Sequence, residues 1–162
     1  MKILIIIPAW NEQKTLPGVV SDLKKHGYKN IVVINDGSTD GTIGTLNHVI
    51  NRGLGAALGT GFEFARKNRT DIIVTFDADG QHKAEDIKNL IKPILDNKAD
   101  VVVGSRMTEF RKLMPKSRLV ITLLANLLTY LLYGFKSTDS QSGLRAFNKK
   151  ALEKIKIKTD RM

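Results

Sequence analysis

The sequence predicts an α/β fold with a mostly parallel central sheet flanked by helices, and three observations carry the prediction. Short runs of β-branched and apolar residues recur along the chain, amphipathic helical patterns stand between them, and one such run ends in two carboxylates one residue apart, Asp77 and Asp79. Strands alternating with helices pair in parallel through right-handed crossovers. At 162 residues and 42% hydrophobic composition, the chain suits a single domain over residues 1–162 with a sizeable core. Cysteine is absent, which excludes a disulfide framework, a thiolate metal site and a catalytic thiol, and fits a reducing, cytoplasmic compartment.

Residues 2–7 are the first expected strand; the apolar run inside it is too short for a secretory segment and no small-residue cleavage site follows. Pro8-Ala9-Trp10-Asn11-Glu12 turns into an amphipathic helix carrying Leu16, Val19, Val20 and Leu23, which stops at His26-Gly27. Residues 30–35 form a second buried strand, ending in Asp36-Gly37-Ser38-Thr39-Asp40-Gly41-Thr42, almost wholly turn and capping chemistry. A short third strand is expected over 46–50, then a glycine-rich stretch, 51–59, entering a helix through Phe62, Phe64 and Ala65. Residues 71–76 read as a buried strand closed by a glycine turn. A helix over 84–97 places Ile87, Leu90, Ile91, Ile94 and Leu95 on one face, with Pro93 kinking it or shortening its last turns. Residues 100–104 read as another buried strand and 143–147 as the last, separated by a basic segment holding Arg111, Lys112, Lys116 and Arg118 and by a mostly apolar run, 119–135.

Residues i and i+2 of a strand share a face, so Asp77 and Asp79 project together from the strand's carboxyl end, where open α/β sheets place ligands. Two neighbouring carboxylates repel unless an oxygen-preferring divalent cation joins them. An ordinary turn is the alternative, because Asp and Gly are common turn residues. The formal net charge of +10 implies attraction to polyanions such as phosphorylated substrates, anionic membrane or nucleic acid. Nucleic acid ranks last: aromatic residues are 6% of the chain, and neither zinc-finger spacing nor an RNA-recognition signature is present.

The glycine-rich stretch does not mark a dinucleotide site, because that fingerprint belongs in the first strand-to-helix turn, here Pro-Ala-Trp-Asn-Glu. The P-loop pattern is missing too. Gly53, Gly55 and Gly59 are expected instead to allow a tight turn and close helix packing. The strand ends jointly offer Glu12, Asp36, Asp77 and Asp79 on one sheet edge. With Asn35-Asp36-Gly37-Ser38-Thr39-Asp40-Gly41-Thr42, Asn51-Arg52-Gly53-Leu54-Gly55-Ala56-Ala57, Asp77-Ala78-Asp79-Gly80-Gln81-His82 and Gly104-Ser105-Arg106, this set resembles the nucleotide-sugar site of family-two glycosyltransferases with a GT-A fold. The segment 139–147 looks most like the dolichol-phosphate mannosyltransferase and polyprenyl-phosphate glycosyltransferase branch.

The resemblance implies a role for each residue. Pro8, Ala9 and Glu12 would frame the nucleoside, Glu12 accepting from ribose hydroxyls and Asp36 from the base N–H. Asp77 would lie beside the nucleotide, and Asp79 with Gln81 would hold Mg²⁺ or Mn²⁺ against the diphosphate of a GDP- or UDP-sugar. Arg106, Arg118 and Arg145 are candidates for phosphate contacts, with plain surface charge as the alternative. Asp139 would orient the acceptor or act as base. The acceptor implied is a polyprenyl phosphate, the transfer inverting, the location the cytoplasmic membrane face. Residues 1–105 would then form the nucleotide-sugar-binding half and 106–162 the acceptor-side half.

Residues 119–135 fall short of the ~20 apolar residues that span a bilayer, leaving a helix buried against the sheet or one lying at a membrane surface. The histidines are too scattered to suggest a metal site, and His82 reads as a loop residue near the metal. Asn35 stands where the family often has Asp, and the chain stops before the further helix and basic segment usual in the family, as a truncated form would. The same donor chemistry on a soluble saccharide or protein acceptor, and a non-catalytic nucleotide-sugar-binding module, are the alternatives.

Overall fold

The computed structural model describes residues 1–105, 131 and 142–157. Arg106, Arg118, Asp139 and the basic segment lie outside the described residues, as does the run 119–135 apart from Leu131, which is exposed. The elements are β1 (Ile3–Ala9), α1 (Leu16–Lys25), β2 (Ile31–Asn35), β3 (Leu46–Asn47), α2 (Leu54–Lys67), β4 (Ile72–Thr75), α3 (Asp86–Leu95), β5 (Val101–Val103), β6 (Arg145–Asn148) and α4 (Lys149–Lys154).

One sheet runs in the order β3-β2-β1-β4-β6-β5. The β3, β2, β1 and β4 neighbours pair in parallel, whereas β6 is antiparallel to both β4 and β5. The mostly parallel sheet expected from alternation is therefore present, with one reversed strand inserted near its end. That insertion corrects the reading of 100–104 as a buried strand: β6 takes the place beside β4, β5 is the edge among the described residues, and Val101 is 41% exposed.

Both faces of the central strands are covered, which explains why they are nearly continuous apolar runs. Ile5, Ile7, Ile72, Val74 and Phe76 point to one face, where they meet Leu16, Val19 and Leu23 of α1 and Ile87, Leu90, Ile91 and Ile94 of α3. Leu4, Ile6, Val32, Ile34 and Ile73 point to the other, against Ala57, Phe62 and Ala65 of α2 and Ala151 and Leu152 of α4. Leu95, expected on the buried face of α3, is 44% exposed. Its helix ends there, two residues past Pro93, whose carbonyl accepts from the Lys98 N–H at 2.8 Å. The shortening foreseen from the missing proline N–H is what occurs.

α2 begins at Leu54, so most of the glycine-rich stretch is helix rather than turn. Gly53 precedes it with φ 89°, a left-handed conformation that favours glycine. Close packing falls to Gly61 rather than Gly59: a Cβ on Gly61 would lie 2.4 Å from Ile6 Cγ2, whereas one on Gly59 would meet only Ile157 Cβ at 3.9 Å. The two glycines thus predict opposite outcomes in urea unfolding. Gly59→Ala gains about 1 kcal/mol from helix propensity, and Gly61→Ala loses about 1–3 kcal/mol by overpacking.

Candidate active site

Among the described residues, the loops that carry the predicted side chains after β1, β2 and β4 leave the sheet at one edge, the carboxyl ends of the parallel strands. Ala9 pairs with Asn35, and the Asp36 N–H continues that ladder by donating to Ala9 O at 2.9 Å. Thr75 pairs with Ile6 and the Phe76 N–H donates to Ile6 O, so Asp77 leaves the sheet beside the Pro8 and Ala9 end of β1. Because β6 is reversed, its first residue, Arg145, comes to the same edge, paired with Thr75 and Val103. Pro8, Ala9, Glu12, Asp36, Asp77, Asp79, Gln81 and Arg145 therefore share one rim.

The first two loops are laced together. Asn11, at φ 57°, donates its N–H to Ser38 Oγ at 3.0 Å and accepts from the Thr39 N–H at 2.9 Å. The Glu12 N–H donates to Thr42 Oγ1 at 2.8 Å, the Gln13 N–H to Asp40 Oδ2 at 3.1 Å, and the Gly41 N–H to Gln13 Oε1 at 3.0 Å. Glu12 is half-buried, and its Oε2 accepts from the Thr15 hydroxyl at the start of α1. Asn35 donates from Nδ2 to Thr42 O at 3.0 Å and to Asn47 Oδ1 at 3.1 Å, and accepts from the Ser38 N–H at 3.0 Å. An aspartate there would offer no donor to either oxygen. The departure from the family pattern thus has a structural use.

Asp36 is 3% exposed, and its carboxylate is the hub of the rim. Oδ1 accepts from His48 Nδ1 at 2.6 Å and from the Arg52 N–H at 3.0 Å; Oδ2 accepts from the Gly53 N–H at 2.7 Å. These donors offset the cost of burying the group and hold the turn from which α2 starts. His48 was not foreseen as part of this arrangement. Its signal was the register: Asn47 pairs with Asn35, which brings the next residue, His48, beside Asp36.

Asp77 is half-buried, and its Oδ2 lies 3.2 Å from His82 Nε2. His82 also packs edge-on to Phe76, ring centroids 5.9 Å apart. On the other side Gly143 presses against Asp77: a Cβ built there would sit 2.1 Å from Oδ1 and 2.2 Å from Oδ2. The Thr75 hydroxyl donates to Gly143 O at 2.7 Å and Arg145 Nε to Ser142 O at 2.9 Å, which fixes the turn preceding β6. Sequence reading gave Gly143 only as the start of a strand, because the contact links segments far apart in the chain. Asp79 and Gln81 are exposed, and Asp79 Oδ1 accepts from the Gln81 N–H at 2.9 Å. Among the described residues no group of three or more His, Cys, Asp or Glu side chains could hold a metal ion. The oxygen-only donors of Asp79 and Gln81 nevertheless suit a hard cation that a ligand's own oxygens help to coordinate.

Asp40 gives this edge a pH dependence. Its carboxyl is held below the ordinary 3.8, chiefly by the Thr42 hydroxyl, with desolvation opposing and the Thr42 and Gln13 amides adding to the effect. A depressed folded value means that stability is present above the unfolded pKa and is lost as pH falls through the folded one. Asp40→Asn should therefore flatten the loss of stability below about pH 4, measured by urea unfolding across that range. Gly143→Ala should displace Asp77, seen as shifted His82 ring resonances in an otherwise native spectrum.

Comparison with known proteins places the chain. The family described as Glycosyl transferase family 2 matches residues 4–156. The UDP-N-acetylglucosamine–dolichyl-phosphate N-acetylglucosaminyltransferase of Methanococcus voltae is 40% identical, over 93% of this chain and 71% of that protein. The polyprenol monophosphomannose synthase of Mycolicibacterium smegmatis is 33% identical, over 95% of this chain and 64% of that protein. Among solved structures, glucosyl-3-phosphoglycerate synthase from Mycobacterium tuberculosis, in complex with Mn²⁺, UDP-glucose and phosphoglyceric acid, superposes with a TM-score of 0.67 at 22% identity, over 92% of this chain and 57% of that one. The chain belongs to glycosyl transferase family 2 and has its GT-A fold.

Proposed function

We propose that this chain carries the donor site of an inverting transferase that moves a sugar from a nucleoside-diphosphate donor to a polyprenyl phosphate. The observation that carries the reading is the single rim shared by Glu12, Asp36, Asp77 and Asp79 in a chain of this family. The relatives acting on dolichyl phosphate, polyprenol phosphate and undecaprenyl phosphate support the acceptor.

In this reading Pro8 and Ala9 flank the nucleoside, Glu12 accepts from the ribose hydroxyls and Asp36 accepts from an N–H of uracil or guanine. Asp77, held between His82 and Gly143, lies along the nucleotide. Asp79 and Gln81 would hold Mg²⁺ or Mn²⁺, which supplies neutralisation of the charge developing on the departing diphosphate. Arg145 contributes positive charge at the same edge, and Arg106, Arg118 and Asp139 belong to the acceptor-side half, residues 106–162. An acceptor phosphate oxygen forms the bond to the anomeric carbon as the bond to the diphosphate breaks. A phosphate monoester with a second pKa of about 6 is already ionised at neutral pH, so no strong base is required.

No helix among the described residues is long and apolar enough to cross a membrane. The net charge of +10 suits peripheral attachment to anionic lipid on the cytoplasmic face, where a lipid phosphate is reached without crossing the bilayer.

A thermal-shift titration of UDP and GDP with and without Mn²⁺ tests the donor half. At roughly a hundred times Kd, the accepted nucleotide with Mn²⁺ should raise Tm by about 5 °C or more, and Asp79→Asn should remove the metal-dependent part. A shift independent of Mn²⁺ and preserved in Asp79→Asn would contradict the metal role.

A further inference from the structure

The Asp36–His48–Thr60 chain of hydrogen bonds is more than a cap for α2. A carboxylate offers about four acceptor positions. Oδ1 uses two, for His48 Nδ1 and the Arg52 N–H, whereas Oδ2 takes only the Gly53 N–H among the described residues. One position on Oδ2 therefore remains. Because a carboxylate can only accept, an imidazole proton sits on Nδ1, and Nε2 shares a hydrogen bond with the Thr60 hydroxyl at 2.8 Å. The side chain of His48 is 10% exposed, and its backbone N–H donates to Asn35 O at 2.9 Å. The ring is thus pinned to the sheet at one end and to α2 at the other.

We propose that His48 is a positioning residue for donor recognition: its Nδ1–H fixes the Asp36 carboxylate so that Oδ2 keeps an acceptor position for a base N–H. The inference rests on the reading of Asp36 as the base contact. Without the Nδ1 donor, each carboxylate oxygen keeps one backbone amide, and the plane is held less tightly about the Cβ–Cγ bond. A purely structural role would depend on the Thr60 contact, and substitution separates the two. The Nδ2 of Asn reaches about where Nδ1 lies, whereas the amide of Gln reaches towards Nε2.

The test is titration calorimetry of UDP, GDP and inorganic pyrophosphate, each with Mn²⁺, on the wild type, His48→Asn, His48→Gln and Thr60→Val. Expected is a loss of about tenfold or more in nucleotide affinity for His48→Gln, with His48→Asn and Thr60→Val within about threefold of wild type and pyrophosphate affinity unchanged throughout. Wild-type nucleotide affinity in His48→Gln, an equal loss in all three variants, or an equal loss for pyrophosphate would overturn the role of His48 alone. A wild type that binds neither nucleotide would overturn the donor reading and this inference with it. Should His48→Gln fail to fold, the wild-type Nδ1–H resonance decides: it should move on adding the nucleotide with Mg²⁺ and stay in place with pyrophosphate, and a resonance indifferent to both overturns the proposal.

Discussion

A buried carboxylate at the end of a strand is the constraint on which the rest of this rim depends. Asp36 is 3% exposed, and the groups that satisfy it come from the turn before α2 and from His48 just after β3. Leaving one buried donor or acceptor unpaired costs about 1–3 kcal/mol, so the three bonds tie the end of β2, the end of β3 and the start of α2 into one arrangement. From that anchor the loop 36–42 runs back across the loop after β1, and the two exchange hydrogen bonds through Asn11, Gln13, Asp40 and Thr42. A surface built this way is set before a ligand arrives, which lowers the ordering cost of binding.

The same economy appears around Asp77. Its carboxylate lies between the His82 imidazole and the bare α-carbon of Gly143, a residue from the reversed strand's turn. Reversal of β6 is what makes this possible, since it brings the beginning of a strand, with Gly143 and Arg145, to the edge where the parallel strands end. The topology thus gathers residues 8–12, 36–42, 77–82 and 143–145 at one edge.

Much of this was legible in the sequence, and the reasons are physical. Strands buried on both faces read as unbroken apolar runs and the turn chemistry of 36–42 announced its own loop, whereas Asp77 and Asp79 lie past the end of β4 at Thr75, where strand alternation no longer sets them on one face. The failures share a cause, which is that contacts distant in the chain leave no local period. Residues 100–104 have the composition of a central strand and lie at an edge because another strand is inserted beside them. Gly61, rather than Gly59, meets Ile6 because of how α2 seats on the sheet. His48 leaves no local signal, because its partner is a carboxylate just past the neighbouring strand rather than another histidine.

The proposal at the centre of the account is that the carboxyl edge of this sheet would bind a nucleoside diphosphate together with a divalent ion, Asp79 and Gln81 holding the ion. Paramagnetic broadening by Mn²⁺ in the presence of saturating UDP or GDP measures this directly on assigned amide resonances. The account predicts broadening centred on residues 77–82, weaker effects over residues 8–12 and 36–42, and none at the exposed end of α3 around Leu95. Broadening centred away from residues 77–82, or none with either nucleotide, would contradict it.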